Sequence, residues 1–317
     1  MASPGVGAKG FIGFGPEDTW GTAATITRYI EFLSESVKRN QSGVVSNGIQ
    51  PYRGATSYKK TTIAPGGDIN FEVNPEHIPT LIYHAFGKVT TSTVSGGYSH
   101  LIVPYIDLPE GLTFLIDRDK AYFLYEGGKI NSLNMSFSPN EIITGSVSIL
   151  AKSETATLGA YSASPSYPTA PPFSGVEAAV TINTGAGYSS QPVMSADFTL
   201  NNNLYGDKYE LGNNDRQALI EQRRSVTGKI NIEFDDLDIY TLFVNGSESA
   251  LKITMTSDTS PYAMTIEFPK IVYTGETPTM GGPDIITVDC PFTALYTSAA
   301  SPEIIITVIN TETVITG

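Results

Sequence analysis

The feature that most constrains this chain is a stretch that occurs twice. Shifting by 161 positions places Gly67, Ile69, Asn70, Glu72, Ile78, Thr80 and Leu81 on Gly228, Ile230, Asn231, Glu233, Ile239, Thr241 and Leu242, seven identities within fifteen positions. Both copies alternate apolar and polar residues (Ile69, Phe71, Val73; Ile230, Ile232, Phe234), break at acidic, Asn or Pro residues, and run into a short amphipathic helix. Later landmarks recur in the same order: Lys129-Ile130 as Lys270-Ile271, and Glu141-Ile142-Ile143-Thr144 as Asp284-Ile285-Ile286-Thr287. The interval from Gly67 to Lys129 is 62 residues and that from Gly228 to Lys270 is 42; an insertion at 89–111, a hairpin around Gly96-Gly97, accounts for the difference. A shared order of landmarks implies two copies of one supersecondary plan.

A chain of 317 residues has room for two cores. With 16% charged residues, 30 Gly and 20 Pro, short strands joined by turns suit it better than long helices. The expectation is a mainly β protein of two tandem domains, each with a short flanking helix. The first spans 1–154, with an N-terminal arm at 1–28, a long polar loop at 38–64 and the insertion at 89–111. A Pro/Ser/Gly-rich connector covers 155–192, with one strand at 178–182. The second domain covers 193–317 and closes on an apolar strand, Glu303 to Val308, that has no counterpart in the first half. Separate strands are expected at 112–116, 121–125 and 130–137. Gly5 to Gly10 spells GxGxxG, but without a preceding strand it reads as part of the arm. Trp20, the single tryptophan, reads as the anchor of that arm.

Chemistry is sparse. His77, His84 and His100 all lie in the first half, and none is set beside a nucleophile and carboxylate as a triad requires. Metal-ligand spacings such as HExxH or CxxC are missing, and Asp235-Asp236-Leu237-Asp238 lacks a calcium-loop pattern, suiting helix capping instead. Cys290, followed by Pro291, reads as a packed small hydrophobe. No catalytic residue, metal or cofactor is expected. Apolar runs stay well short of the roughly 18 residues that cross a bilayer, and a basic region leading into an apolar core is absent from the N-terminus, so neither membrane anchoring nor export is expected. A net charge of −13 argues against gripping phosphate backbones, though not against a surface past which DNA slides. Cations gather in two polar segments: Arg39, Arg53, Lys59 and Lys60 in 38–64, and Arg216, Arg223 and Arg224 in 201–227. Such loops suit contact with acidic faces of other subunits.

Glu17 with Trp20-Gly21-Thr22, Phe32 with Ser34-Glu35, Arg53, and Gly66-Gly67 with Ile69, Phe71 and Glu72 together resemble the N-terminal region of phage major tail tube proteins. The resemblance covers the first 90 residues best and reaches the second half through the repeat. It implies β-sandwich-like or barrel-like tube domains, a long loop reaching the next ring, and inner sheets joined around a DNA channel. It further implies residence in the virion tail, assembly in the host cytoplasm, and tape measure, tail terminator and baseplate proteins as partners. DNA would pass without specific binding. Six tube domains per ring would make a two-domain chain trimeric. The polar sides of the repeated strand, Asp68, Asn70 and Glu72 with Asn231 and Glu233, are the candidate lumen residues. Alternatives are a non-polymerising hub or terminator, or a carbohydrate-binding β-sandwich adhesin.

Overall fold

The computed structural model describes residues 4–316 apart from 163, 186, 235, 236, 276 and 278–284. In chain order the first half contains β1 (Phe11–Pro16), β2 (Arg28–Ile30), β3 (Phe32–Glu35), β4 (Lys38–Val45), β5 (Tyr58–Glu72), α1 (Ile78–Phe86), β6 (Gly87–Val94), β7 (Gly97–Pro104), β8 (Leu112–Asp117), β9 (Ala121–Phe137), β10 (Thr144–Leu150) and β11 (Ser153–Leu158). There follow β12 (Ala178–Asn183), β13 (Tyr188–Ser190), β14 (Val193–Asn201), β15 (Tyr205–Lys208), β16 (Ala218–Ile220), β17 (Ser225–Glu233), α2 (Asp238–Asn245), β18 (Glu248–Thr256), β19 (Ala263–Tyr273), β20 (Thr287–Ala294) and β21 (Ile305–Asn310). The protein is mainly β with two short helices, and each half carries one.

One antiparallel run crosses both halves. It passes from β3 and β4 to β5, then β10, β9, β14, β17 and β20. The junction is the pairing of β9 with β14, from Asn201↔Ser132 to Ala196↔Phe137. Alternation explains why this sheet has one dry face. Ile69 and Phe71, Leu133 and Met135, Val147 and Ile149, Ala196 and Phe198, Ile230, and Phe292 point into a single core in which every one is buried. Burial of a large apolar side chain contributes about 1.5–3 kcal/mol, so the face is fixed against a one-residue slip.

Long strands serve two layers. The N-terminal half of β9 pairs with β8 and β11, while its C-terminal half pairs with β10 and β14. Residues 121–125 and 130–137 are therefore one strand, with Gly127 and Gly128 at the crossing; the irregular register between Leu112 and Phe114 interrupts the alternation that suggested two. β19 divides one edge in the same way, pairing with β21 early and with β20 late, while β18 runs along the opposite edge from Ala263 to Val272. The C-terminal strand β21 thus occupies on β19 the place that β11 occupies on β9, a topological counterpart that composition conceals because β11 is largely exposed. β21 also pairs with β7, so the hairpin of β6 and β7 is stitched to the second half. β12 pairs with β18, extending the second half's outer layer.

The segment expected as a loop at 38–64 is mostly a long hairpin of β4 and the start of β5. It was unreadable as strand because it is exposed on both faces: β4 holds no buried residue, so selection for apolar alternation is absent. The helices end conventionally at their C-termini, though neither N-cap residue, His77 or Leu237, makes a side-chain capping bond. Pro79 sits in the first turn of α1, and Gly87 (φ 104°) and Gly246 (φ 60°) end α1 and α2 in the left-handed conformation that glycine adopts without strain. Asp235 and Asp236, expected as part of the α2 cap, lie outside the described residues.

Equivalent strands match in register. Glu72 faces Thr144 as Glu233 faces Thr287. Phe32 faces Phe71 and Ser34 faces Asn70 across a bulge, and the same bulge separates Val193 opposite Ile232 from Ser195 opposite Asn231. The shared glycine meets the same obstacle in both places, and Gly67 in addition has a φ of 156°. A Cβ on Gly67 would lie 2.5 Å from Ser36 O, and on Gly228 it would lie 2.5 Å from Asp197 O, residues that the 161-position shift also superimposes.

Candidate functional site

The other face of the six-strand run is polar apart from Pro291, which lies opposite Lys229. From β5 it presents Asp68, Asn70 and Glu72; from β10, Ser146 and Ser148; from β9, Ser132 and Asn134; from β14, Asp197 and Thr199; from β17, Lys229, Asn231 and Glu233; and from β20, Asp289. Asp68 and Asn70 are exposed, and Glu72, Asn231 and Glu233 are half-buried. The sequence-predicted lumen residues are therefore brought onto one sheet face, in two groups separated by β10, β9 and β14. Sequence reasoning missed Asp197 and Asp289. The signal available was Ser34 matching Ser195 and Asn40 matching Asn201 at the same 161-position shift, which extends the repeat upstream and aligns Asp197 with Ser36.

Polar groups hold one another across the strands. Asn70 Nδ2 donates to Ser34 Oγ at 2.8 Å, and Asn134 Nδ2 donates to Phe198 O and Thr199 Oγ1 at 3.0 Å each. In the second half Asn231 Nδ2 donates to Asp289 Oδ1 at 2.7 Å and Lys229 Nζ reaches Asp289 Oδ2 at 3.3 Å. Asp289 is held below the usual carboxylate range, first by the Asn231 hydrogen bond and then by Lys229. Asp197, opposite Lys229 in register, is pushed up by burial, with Asp289 adding to the shift and Lys229 opposing it. Ser36, Asp68 and Ser146 occupy the positions of Asp197, Lys229 and Asp289, so the two trios carry the same net charge by different routes.

The candidate contact cations divide sharply. Arg39, Arg53, Lys59 and Lys60 are exposed on the hairpin of β4 and β5, whose tip also exposes Ile49 (100%) and Tyr52 (79%). Arg223 is exposed too. Arg216 instead is buried within the chain: Nε donates to Gly206 O at 2.8 Å, and Nη1 to Pro65 O at 2.6 Å and Ala151 O at 2.8 Å. It is the pin by which the segment carrying β15 and β16 lies on the first half. Tyr209 Oη donates to Ile63 O at 3.0 Å, and Ile63 N donates to Asn214 O at 2.8 Å. Arg224 is half-buried, donating from Nη1 to Tyr105 O at 3.0 Å, with Glu303 at 3.9 Å from Nη2.

The N-terminal motif is a clamp. Glu17 accepts from Thr113 Oγ1 (2.7 Å), Gly127 N (2.8 Å) and Gly21 N (2.7 Å), while Trp20 Nε1 donates to Gly127 O at 3.0 Å. Lys152 Nζ lies 5.1 Å from the centre of the Trp20 ring. Glu35 receives Nε and Nη2 of Arg118 at 3.0 Å each, a two-pronged pair. The histidines sit apart: His77 Nδ1 contacts Tyr29 O, His100 lies between Thr91 and Asn310, and His84 is buried. Burial, helped by Arg28 and Lys129, lowers His84 to about 3. Cys290 is buried, which pushes its thiol up to about 11, with Asp289 adding to the shift, far from a nucleophile's range. Among the described residues no group of three or more His, Cys, Asp or Glu side chains could hold a metal ion, and no helix is long and apolar enough to cross a membrane.

A family model described as phage tail tube protein matches residues 7–294. No curated protein matched the chain.

Proposed function

The chain belongs to the phage tail tube protein family, and from that premise we propose that it polymerises as stacked rings whose channel delivers the phage genome. The observation that carries this reading is the predominantly polar face running over β5, β10, β9, β14, β17 and β20, backed by one core. A duplicated tube domain supplies both halves; the identical registers, the shared bulge and the two equivalent glycines support that origin. The first domain then takes in β11, and the second begins at β12, inside the segment first read as a connector.

Three copies would present six tube domains per ring. The pairing of β9 with β14 serves as the template for the seams between copies. The edge of β3 and β4 away from β5 is the first domain's counterpart of the β14 edge that meets β9, and is the edge offered to another copy. Closing the ring pairs edges that invite uncontrolled association in a monomer, and head-to-tail stacking extends rings into a filament. The polar face looks into the channel. Asp68, Glu72, Asp197, Glu233 and Asp289 against Lys229 give it negative charge, which keeps DNA moving by repulsion instead of holding it by counterion release. Tape measure, terminator and baseplate proteins are the partners in the virion tail, with assembly in the bacterial cytoplasm.

Microscopy of negatively stained full-length protein tests this. Rings or tubes with a central hole are expected, with a mass per ring of three chains. Six chains per ring would overturn the trimer, and protein that stays monomeric at all concentrations and salts would overturn polymerisation in favour of a non-polymerising tail component.

A further inference from the structure

The two basic segments are counterparts, yet only one of them is docked. The segment of β15 and β16 rests on the first half, where Arg216 donates to Pro65 O and Ala151 O. The hairpin of β4 and β5 projects free. Leu219 of the docked segment is 4% exposed, whereas Tyr58, its counterpart at the 161-position shift, is 57% exposed. Between Ser36 and Pro65 the chain has five cations, Lys38, Arg39, Arg53, Lys59 and Lys60, and no carboxylate. Arg53-Gly54-Ala55 repeats the Arg-x-Ala of Arg216-Gln217-Ala218 at a shift of 163, two residues more than the 161 that relates Tyr58 to Leu219, so the first hairpin is two residues longer between its Ala55 and Tyr58.

The place in the second half that matches the Arg216 cradle is open. Gly66 faces Leu150 in β5 and β10 as Thr227 faces Thr293 in β17 and β20, so Pro65 and Ala151 correspond to Val226 and Ala294. Val226 and Ala294 line a cavity of ≈ 870 Å³ together with Arg224, Thr293, Tyr296 and Glu303. Glu303 Oε2 and Arg224 Nε are buried there without a hydrogen-bond partner among the described residues.

We propose that this cavity receives Arg53 from the β4–β5 hairpin of a second copy of this chain, in the manner that the first half receives Arg216. The carbonyls of Val226 and Ala294 are the acceptors, Glu303 supplies the countercharge, and Tyr58 and Tyr52 cover the apolar rim. Arg223 and Arg224 also line the cavity, so the fit depends on a planar guanidinium meeting carbonyl dipoles and one carboxylate, and not on net attraction. The inference rests on the ring-forming reading above, since each copy passes its arm to the next and the last arm closes on the first.

Full-length protein with Cys290→Ser, Ala55→Cys and Gln222→Cys, which keeps Arg53 and places one thiol beside it and the other on the cavity rim, treated with a short bismaleimide, reads the contact directly. Covalent dimers and trimers from this variant, with neither partner cysteine alone producing them, are the expected result. Arg53→Ala should raise the concentration at which the otherwise unaltered protein assembles by roughly tenfold or more, the loss of charge-assisted hydrogen bonds, while Arg53→Lys recovers only part. Normal tubes that form without cross-links, or at unchanged concentration in Arg53→Ala, would overturn the docking and leave the tube standing. Unsubstituted protein that never assembles would overturn both.

Discussion

Replacing Arg216 by Ala removes a cation that joins three separate parts of the chain, and the structure sets the size of the effect. Pro65 O keeps the Ala151 N–H at 3.0 Å when Arg216 is gone, so the penalty falls mainly on Ala151 O and Gly206 O. A buried carbonyl deprived of its partner costs about 1–3 kcal/mol, which places the loss for the two at roughly 2–6 kcal/mol. Arg216→Lys should recover less than half, because an ammonium on one flexible stem does not reproduce the planar fork that serves Gly206 O on one side and Pro65 O and Ala151 O on the other. The assay is urea unfolding followed by tyrosine fluorescence, paired with amide exchange. Ile63 N, which donates to Asn214 O across the same contact, should lose protection, while Ile230 in the core of β17 should keep it. A midpoint shift worth under about 0.5 kcal/mol, or a lysine variant equal to the parent, would refute the cradle and with it the template for the contact between copies.

Three further outcomes follow from the geometry. His84 is neutral in the folded protein with a value of about 3 against 6.5 when unfolded; the unfolded chain therefore binds the proton first as pH falls, and stability present above pH 6.5 declines toward pH 3, by about 2 kcal/mol at pH 5. Unfolding of a His84→Phe variant should show a visibly flatter pH profile over that window, and an unchanged slope would clear His84 of the effect. Gly228→Ala pushes a Cβ into Asp197 O and the Phe292 ring, each 2.5 Å away, and thermal unfolding should report a loss of about 1–3 kcal/mol, matched by Gly67→Ala against Ser36 O. Combined Asp68→Lys, Glu72→Lys and Asp289→Lys should leave folding and tube length intact but make assembled tubes retain duplex DNA at 50 mM salt and release it as salt rises, as measured by co-sedimentation; tubes that ignore DNA would place this face away from the channel.

The repeat made much of this legible. Strand, helix and hairpin order could be read because Ile69, Phe71 and their partners at 230 and 232 alternate against one core, and the β6–β7 hairpin announced itself through Gly96-Gly97. Where a segment has no dry side, as in β4, the residues carry no period and the strand was hidden. Pairings between distant segments, β21 with β7 above all, depend on complementary surfaces that no local pattern encodes. Of the candidate residues, the polar strand positions share one sheet face, as their alternation suggested, but Arg216 looked like its exposed counterparts: the sequence records its charge and not the carbonyls around it.

The pairing of β9 with β14 also has a consequence for how a closed assembly can evolve. A ring of six identical single domains must use one seam six times, so any substitution there is felt everywhere at once. In a ring of three, half the seams are tied within a chain and form at an effective concentration set by the connecting segment, independent of how many copies are present. Those tethered seams are free to drift, while the other three remain under the demands of recognition between strangers. On the proposed reading the same freedom reaches the inner wall, where Ser36-Asp68-Ser146 and Asp197-Lys229-Asp289 would alternate around the axis, a threefold pattern of charge that a sixfold ring has no means to write.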